Sequence, residues 1–126
     1  MGALRTLTPD EHIQALRILL RGADYVRATP ATLAQSRGLA IILGSLLKIY
    51  YPTTKERDLV RHRAIAELLE IENLETFNDL NSTQCATLLS YFSDLINQGN
   101  AATAAEILTR LERISQISAV EREIRV

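Results

Sequence analysis

The sequence predicts an all-α fold, a compact bundle of about five helices, and three observations lead to this prediction. Apolar residues recur three and four positions apart along most of the chain, which places them on one face of a helix. Several segments open with the proline or capping-box signals of a helix N-terminus. No stretch alternates apolar and polar residues over more than a few positions, so we expect no strand.

The first predicted helix begins at Thr8, with Pro9 in the first helical position and Glu11 three residues after the cap. It must end before Pro30, because proline disfavours a helical conformation in the residue that precedes it. Its apolar face is formed by Ile13, Leu16, Leu20 and Ala23.

The second helix is expected to begin at the repeated signal Thr29-Pro30 and to run to about Tyr50. Its second half is apolar nearly all round, which predicts the central and most buried element of the bundle. Glycine inside a helix costs roughly 1 kcal/mol relative to alanine, so Gly38 and Gly44 suggest a close approach between helices.

The third helix begins with a second capping box, formed by Thr53 and Glu56. Arg57 and Arg61 lie four residues apart on the face opposite its apolar residues and are expected to be exposed. The predicted apolar face consists of Leu59, Ile65, Ala66 and Leu69. Residues 71–81 lack periodicity and are interpreted as a connection, anchored by Leu74, Phe77 and Leu80.

The fourth helix is capped by Asn81 or Ser82 and ends before Gly99, which suits a left-handed C-terminal cap. Asn100 can then cap a fifth helix over about residues 101–123. The apolar face of the fourth helix is Cys85, Leu88, Leu89, Phe92, Leu95 and Ile96.

Length and composition predict one globular domain over residues 1–126, whose last ten or so residues either fray or join an oligomer interface. The longest apolar stretch, residues 38–51, falls short of the roughly 20 residues that span a bilayer. A single cysteine cannot form an internal disulfide, and the first ten residues contain no apolar run typical of a signal peptide. We therefore expect a cytoplasmic protein that does not associate with membranes.

The sequence offers no recognisable catalytic, metal or cofactor chemistry. It lacks both glycine-rich phosphate-binding motifs, and two histidines fifty residues apart with one cysteine give no metal-ligand spacing. Cys85 could be a thiolate stabilised by a helix N-terminus, but its alignment with the apolar face favours a core residue. His62 is expected to be partly buried and hydrogen-bonded. We expect no enzymatic activity and no cofactor.

The net charge of −1 conceals a basic first half and an acidic second half. Residues 1–63 carry net charge +5 and residues 64–126 carry −6. Residues 48–63, which we call the basic segment, combine basic and tyrosine side chains, as single-stranded nucleic-acid surfaces do. The alternative is an ordinary solvated helix face, which the pI of 6.1 favours. The candidate nucleic-acid-binding residues are Lys48, Tyr51, Lys55, Arg57, Arg61 and Arg63.

The fifth helix carries an apolar row that is long for one face of so small a bundle. Long exposed apolar surfaces mark sites for partners, so the row predicts self-association, most simply as a dimer. Two pairs four residues apart, Glu106 with Arg110 and Glu121 with Arg125, would support a free-standing helix. Alternatively the early part packs on the bundle and the chain after Ser115 frays. The candidate interface residues are Ile107, Leu111, Ile114, Ile117 and Val120, with Ile124 continuing the row.

Residues 66–92 read AELLEIENLETFNDLNSTQCATLLSYF, which is a helix end, a short connection and a new helix start. This segment resembles a pattern in the helical tails of phage single-strand annealing and recombination proteins and in Mu-type regulatory proteins. The resemblance implies an accessory module of DNA or mobile-element biology that binds partners. Two hypotheses follow: a helical adaptor or regulator acting through homo-oligomerisation and protein contacts, or a direct nucleic-acid binder that uses the basic half.

Overall fold

The computed structural model describes residues 6–23 and 29–125, apart from the side chains of Ala23 and Arg125. Within these ranges the chain forms helices, and its only β-type pairing is an isolated bridge between Pro30 and Asn81. The all-α prediction is confirmed. The helices are α1 (Pro9–Ala23), α2 (Leu33–Leu47), α3 (Thr54–Leu68), α4 (Ser82–Asn97) and α5 (Ala101–Arg125), with a 3₁₀ turn at Phe77–Asp79 before α4.

The predicted cap of α1 is present, but the predicted start of α2 was wrong. The Thr8 hydroxyl accepts from the Glu11 amide at 3.2 Å, and the Glu11 carboxylate accepts from the Thr8 amide at 3.0 Å. Helix α2 begins three residues after Pro30, because Thr32 forms a capping box with Gln35. The Thr29-Pro30 segment is extended instead, since residues 29–31 pair with residues 80–82 through backbone hydrogen bonds.

Helix α2 lies at the surface rather than at the centre of the bundle. One face contributes fully or nearly fully buried leucines to the core, whereas Ile41 on the other face is 68 % exposed. The helix ends at Leu47, and Ile49 beyond it is 87 % exposed. The central position belongs to the first half of α5, which packs against α1, α2, α3 and α4.

The two glycines of α2 do not mark a close approach of two backbones. A Cβ atom on Gly38 would lie 3.7 Å from a methyl carbon of Leu89, which is an ordinary contact. A Cβ atom on Gly44 would lie 3.1 Å from Nη1 of Arg61. Gly44 therefore makes room for a guanidinium group from α3.

The predicted apolar face of α3 is confirmed at Ile65 and Ala66, which are buried, and Leu69 is half-buried against the core, but Leu59 is half-exposed. The buried residues of the helix are Val60, Ala64, Ile65, Ala66 and Leu68. The connection is anchored as predicted, because Leu74, Phe77 and Leu80 are buried. Cys85 on α4 is fully buried, which confirms its place in the core, and burial raises the pKa of its thiol.

Helices α3 and α4 end in the same hydrogen-bond pattern with different residues at the left-handed position. After α4 the amides of Gly99 and Asn100 bond to carbonyls of the last turn, with Gly99 at φ +79°. After α3 the equivalent bonds come from Glu70 and Ile71, and Glu70 has φ +59°. A left-handed glutamate is uncommon, and here it places its carboxylate near Arg17 and Arg21 of α1, at 3.7 and 3.2 Å.

Candidate interaction surface

Helix α5 divides into an inner half, residues 101–114, and an outer half, residues 115–125. The inner half supplies much of the core, and its buried apolar residues are Ala104, Ala105, Ile107, Leu108 and Leu111. Ile107 and Leu111 were predicted at an interface between copies, but both are fully buried within the subunit. They are core residues and are not available to a second copy. Ile114 is half-buried against the same core.

The outer half exposes three aliphatic side chains in a row. Ile117 is 52 %, Val120 54 % and Ile124 78 % exposed, and their spacing of three and then four residues places them on one side of the helix. We call these three residues the outer strip. This part of the chain is helical through Arg125. The early part of α5 packs on the bundle, as the alternative interpretation expected, and the fraying of the chain after Ser115 stays a prediction.

The apolar row of α5 leaves the core because its spacing does not match the helical repeat. From Ile107 to Ile124 the row advances about 3.4 residues per step, against 3.6 residues per helical turn. Over these 17 positions the mismatch rotates the row by about 100° around the helix. Residues that begin inside the bundle therefore end on its outer surface.

Charged side chains that flank the outer strip are free of ion pairs within the described part of the chain. They are Arg113 before the strip and Glu121 and Glu123 within it. The predicted pair of Glu106 with Arg110 is replaced by a contact between helices, in which Arg110 Nε lies 3.0 Å from Asp10 of α1. The predicted pair of Glu121 with Arg125 involves the side chain of Arg125, which lies outside the described part of the structure.

A groove of about 700 Å³ separates the outer half of α5 from α3 and the connection after it. Leu59 and Ile71 contribute apolar surface to one wall, and Ser115 and Ser118 line the α5 side. Arg122 and Glu72 form an exposed ion pair at 3.5 Å across it. Among the described residues of the outer half, Arg122 alone forms an ion pair with the rest of the bundle, and the outer strip lies on the side of α5 away from the core.

Two of the predicted nucleic-acid-binding arginines are occupied by intramolecular contacts. Arg57 donates hydrogen bonds to the backbone carbonyls of Tyr51 and Pro52, both at 2.9 Å. Arg61 donates to the carbonyl of Ala40 at 3.1 Å and forms an ion pair with Asp58. The expectation that both side chains are exposed was wrong, since both are half-buried. Arg57 holds the turn between α2 and α3, and Arg61 joins α3 to the middle of α2.

Of the other four candidate nucleic-acid-binding residues, two make contacts within the subunit and two are exposed. Arg63 lies 3.3 Å from the carboxylate of the buried Glu112, joining α3 to α5. Tyr51 is half-buried, and burial together with Glu112 raises the pKa of its hydroxyl, although Arg113 opposes the effect. Lys48 and Lys55 are exposed. Binding of nucleic acid by these six residues stays a prediction, to be tested by titration at two salt concentrations.

Both histidines serve the packing of helices. His12 of α1 is buried, and its Nδ1 atom lies 2.6 Å from the hydroxyl of Tyr91 on α4. Burial lowers the pKa of His12 and raises that of Tyr91. His62 stacks on Phe77 with ring centroids 4.4 Å apart, and its Nδ1 atom lies 2.6 Å from the carbonyl of Asp58. The prediction of a partly buried, hydrogen-bonded His62 is confirmed.

The part of the chain that the structure describes contains no cluster of three or more side chains suited to a metal ion. None of its helices has the length and apolar character needed to cross a bilayer. No family model, no curated protein and no solved structure matches this chain. The resemblance of residues 66–92 to phage helical modules therefore stays a prediction.

Proposed function

We propose that this protein is a non-enzymatic helical interaction module, an adaptor or regulator that acts by self-association through the outer half of α5. The observation that carries the proposal is the outer strip: three aliphatic side chains, each more than half exposed, in line on a regular helix. Exposed rows of this kind mark surfaces for partners. The adjoining inner half is fixed in the core, which holds the strip on a rigid base.

The charge distribution is compatible with a second copy as the partner. Arg113 at one end of the strip and Glu121 and Glu123 at the other offer opposite charges to an identical helix. Three aliphatic residues from each copy form a small interface, so association should be weak, with a dissociation constant on the order of 10–100 μM. Such an interaction suits an assembly that forms where the protein is locally concentrated.

Sedimentation velocity from about 0.5 μM to 1 mM, a range that brackets weak association, tests this function. We expect the average mass to rise from the monomer value of 14.1 kDa toward twice that value. Ile117→Asp should keep the protein monomeric throughout. Ala119→Asp adds the same charge to an exposed position off the strip and should associate like the wild type. A wild-type protein that remains monomeric at 1 mM would refute the proposal.

A further inference from the structure

We infer that two copies of this chain pair through the outer halves of α5 in an antiparallel orientation. The inference rests on the proposed self-association and adds the direction of the pairing and the contacts that fix it. In this pairing the outer strip of one copy packs against the outer strip of the other.

Arg113 decides between the two possible directions. It lies four residues before Ile117, so the exposed line along α5 runs Arg113, Ile117, Val120 and Ile124, with spacings of four, three and four. In a parallel pair each residue meets its own counterpart. Two arginines would then face each other at one end of the contact, which is unfavourable because their like charges are brought together and partly desolvated.

An antiparallel pair replaces this repulsion with attraction. With the twofold axis between Ile117 and Val120, these two residues pack on each other across the interface, and Arg113 comes level with Ile124 of the second copy. The aliphatic part of the Arg113 side chain can then cover Ile124 of the second copy. The guanidinium group of Arg113 reaches toward Glu121 or Glu123 of that copy. Symmetry gives the contact twice, once at each end of the strip.

The charged residues are free to make these contacts. Among the described residues none of the three forms an ion pair inside the subunit, whereas Arg110 is held by Asp10 and Arg122 by Glu72. The contacts therefore need no ion pair among the described side chains to be broken. They also predict that the dissociation constant rises with salt concentration, since the pairs lie at the edge of a small interface.

Charge reversal tests the direction. Arg113→Glu alone, and Glu121→Arg with Glu123→Arg, should each weaken the dimer about fivefold, since each places like charges at both ends. The triple variant restores opposite charges and should return to within about twofold of the wild-type dissociation constant. All three positions are exposed, so the variants should fold, which helix content checks. A triple variant weaker than either parent would overturn the antiparallel model.

Disulfide trapping gives a second, independent readout. Arg113→Cys and Ile124→Cys, prepared as separate proteins and mixed under mild oxidation, should cross-link to each other, and neither should cross-link efficiently to itself. A parallel pair would give the reverse result, because each cysteine would then lie beside its own counterpart. The native Cys85 is fully buried and should not interfere.

The outcomes separate this inference from the proposed function. A wild-type protein that stays monomeric at 1 mM removes both. A dimer that Ile117→Asp disrupts, but that neither responds to charge reversal nor gives the mixed cross-link, keeps the function and removes the antiparallel arrangement.

Discussion

The inner and outer halves of α5 belong to one continuous helix and carry similar aliphatic residues, yet one builds the core and the other faces solvent. Ile107 is fully buried and makes its contacts inside the subunit, whereas Ile117, ten residues later, is half-exposed. The apolar row rotates around α5 between these two positions, so Ile107 faces the bundle and Ile117 faces solvent. Identical side chains in one helix can therefore have a structural role and an interaction role.

The largest expected effect comes from the same substitution made in each half. Ile107→Ala should lower the free energy of unfolding by about 2–5 kcal/mol, because it removes buried volume from a packed core. Ile117→Ala should change it by no more than about 0.5 kcal/mol in dilute protein, since the side chain is half-exposed. Chemical denaturation below about 0.5 μM, where association with a dissociation constant of 10 μM or more is small, measures both values. Equal losses of stability would contradict the division of α5.

A second prediction concerns the scaffold around the inner half. Tyr91→Phe should cost about 1 kcal/mol, because it removes the hydroxyl that bonds His12 inside the bundle. The change should not affect association through the outer strip, which lies on α5. Denaturation and sedimentation of the same variant test both parts. A Tyr91→Phe protein with altered association and unchanged stability would link the two regions in a way that the structure does not predict.

The same buried pair predicts a pH dependence of stability. Burial lowers the pKa of His12, so the folded protein binds the proton less readily than the unfolded chain. Neutral His12 therefore makes its full contribution to the free energy of unfolding above about pH 6.5, the ordinary pKa of histidine. That contribution is lost as the pH falls through the folded-state pKa. Melting temperatures between pH 7.5 and 5 should fall less in His12→Gln than in the wild type. An identical pH profile would exclude His12 as the source.

The smallest effect is expected at the ion pair beside the groove. Arg122→Ala should change the free energy of unfolding by less than about 0.5 kcal/mol, because exposed ion pairs contribute little. Arg63→Ala is the matched comparison, since its partner Glu112 is buried and would lose the guanidinium contact at 3.3 Å. We expect the greater loss from Arg63→Ala, as measured by denaturation. The reverse order would show that the outer half contributes to folding stability.

Local signals in the sequence were sufficient to predict most of the helix ends and several of the core residues. The Thr8–Glu11 cap and the glycine cap at Gly99 depend on neighbouring residues only, so their patterns predict them directly. Cys85 and Phe77 were predicted in the core because apolar residues there match the spacing of one helix face or anchor a connection.

The predictions that failed depend on contacts between distant segments. Thr29-Pro30 has the pattern of a helix start, but pairing with residues 80–82 keeps it extended. The role of Gly44 could not be predicted, because it depends on Arg61 from another helix filling the space above it. For the candidate site, the sequence indicated an apolar row on α5 whose spacing rotates it around the helix. Which part of the row faces the core depends on how the other helices pack against α5, and this the sequence did not predict.

Amide hydrogen exchange along α5, measured at several protein concentrations, tests the central claim most directly. The inner half should be strongly protected at every concentration, because its opening requires the core to open. The outer half should exchange rapidly in dilute protein and become protected as the concentration rises toward 1 mM, with Ile117→Asp abolishing that rise. Protection of the outer half that does not change with concentration, whether high or low, would contradict the account.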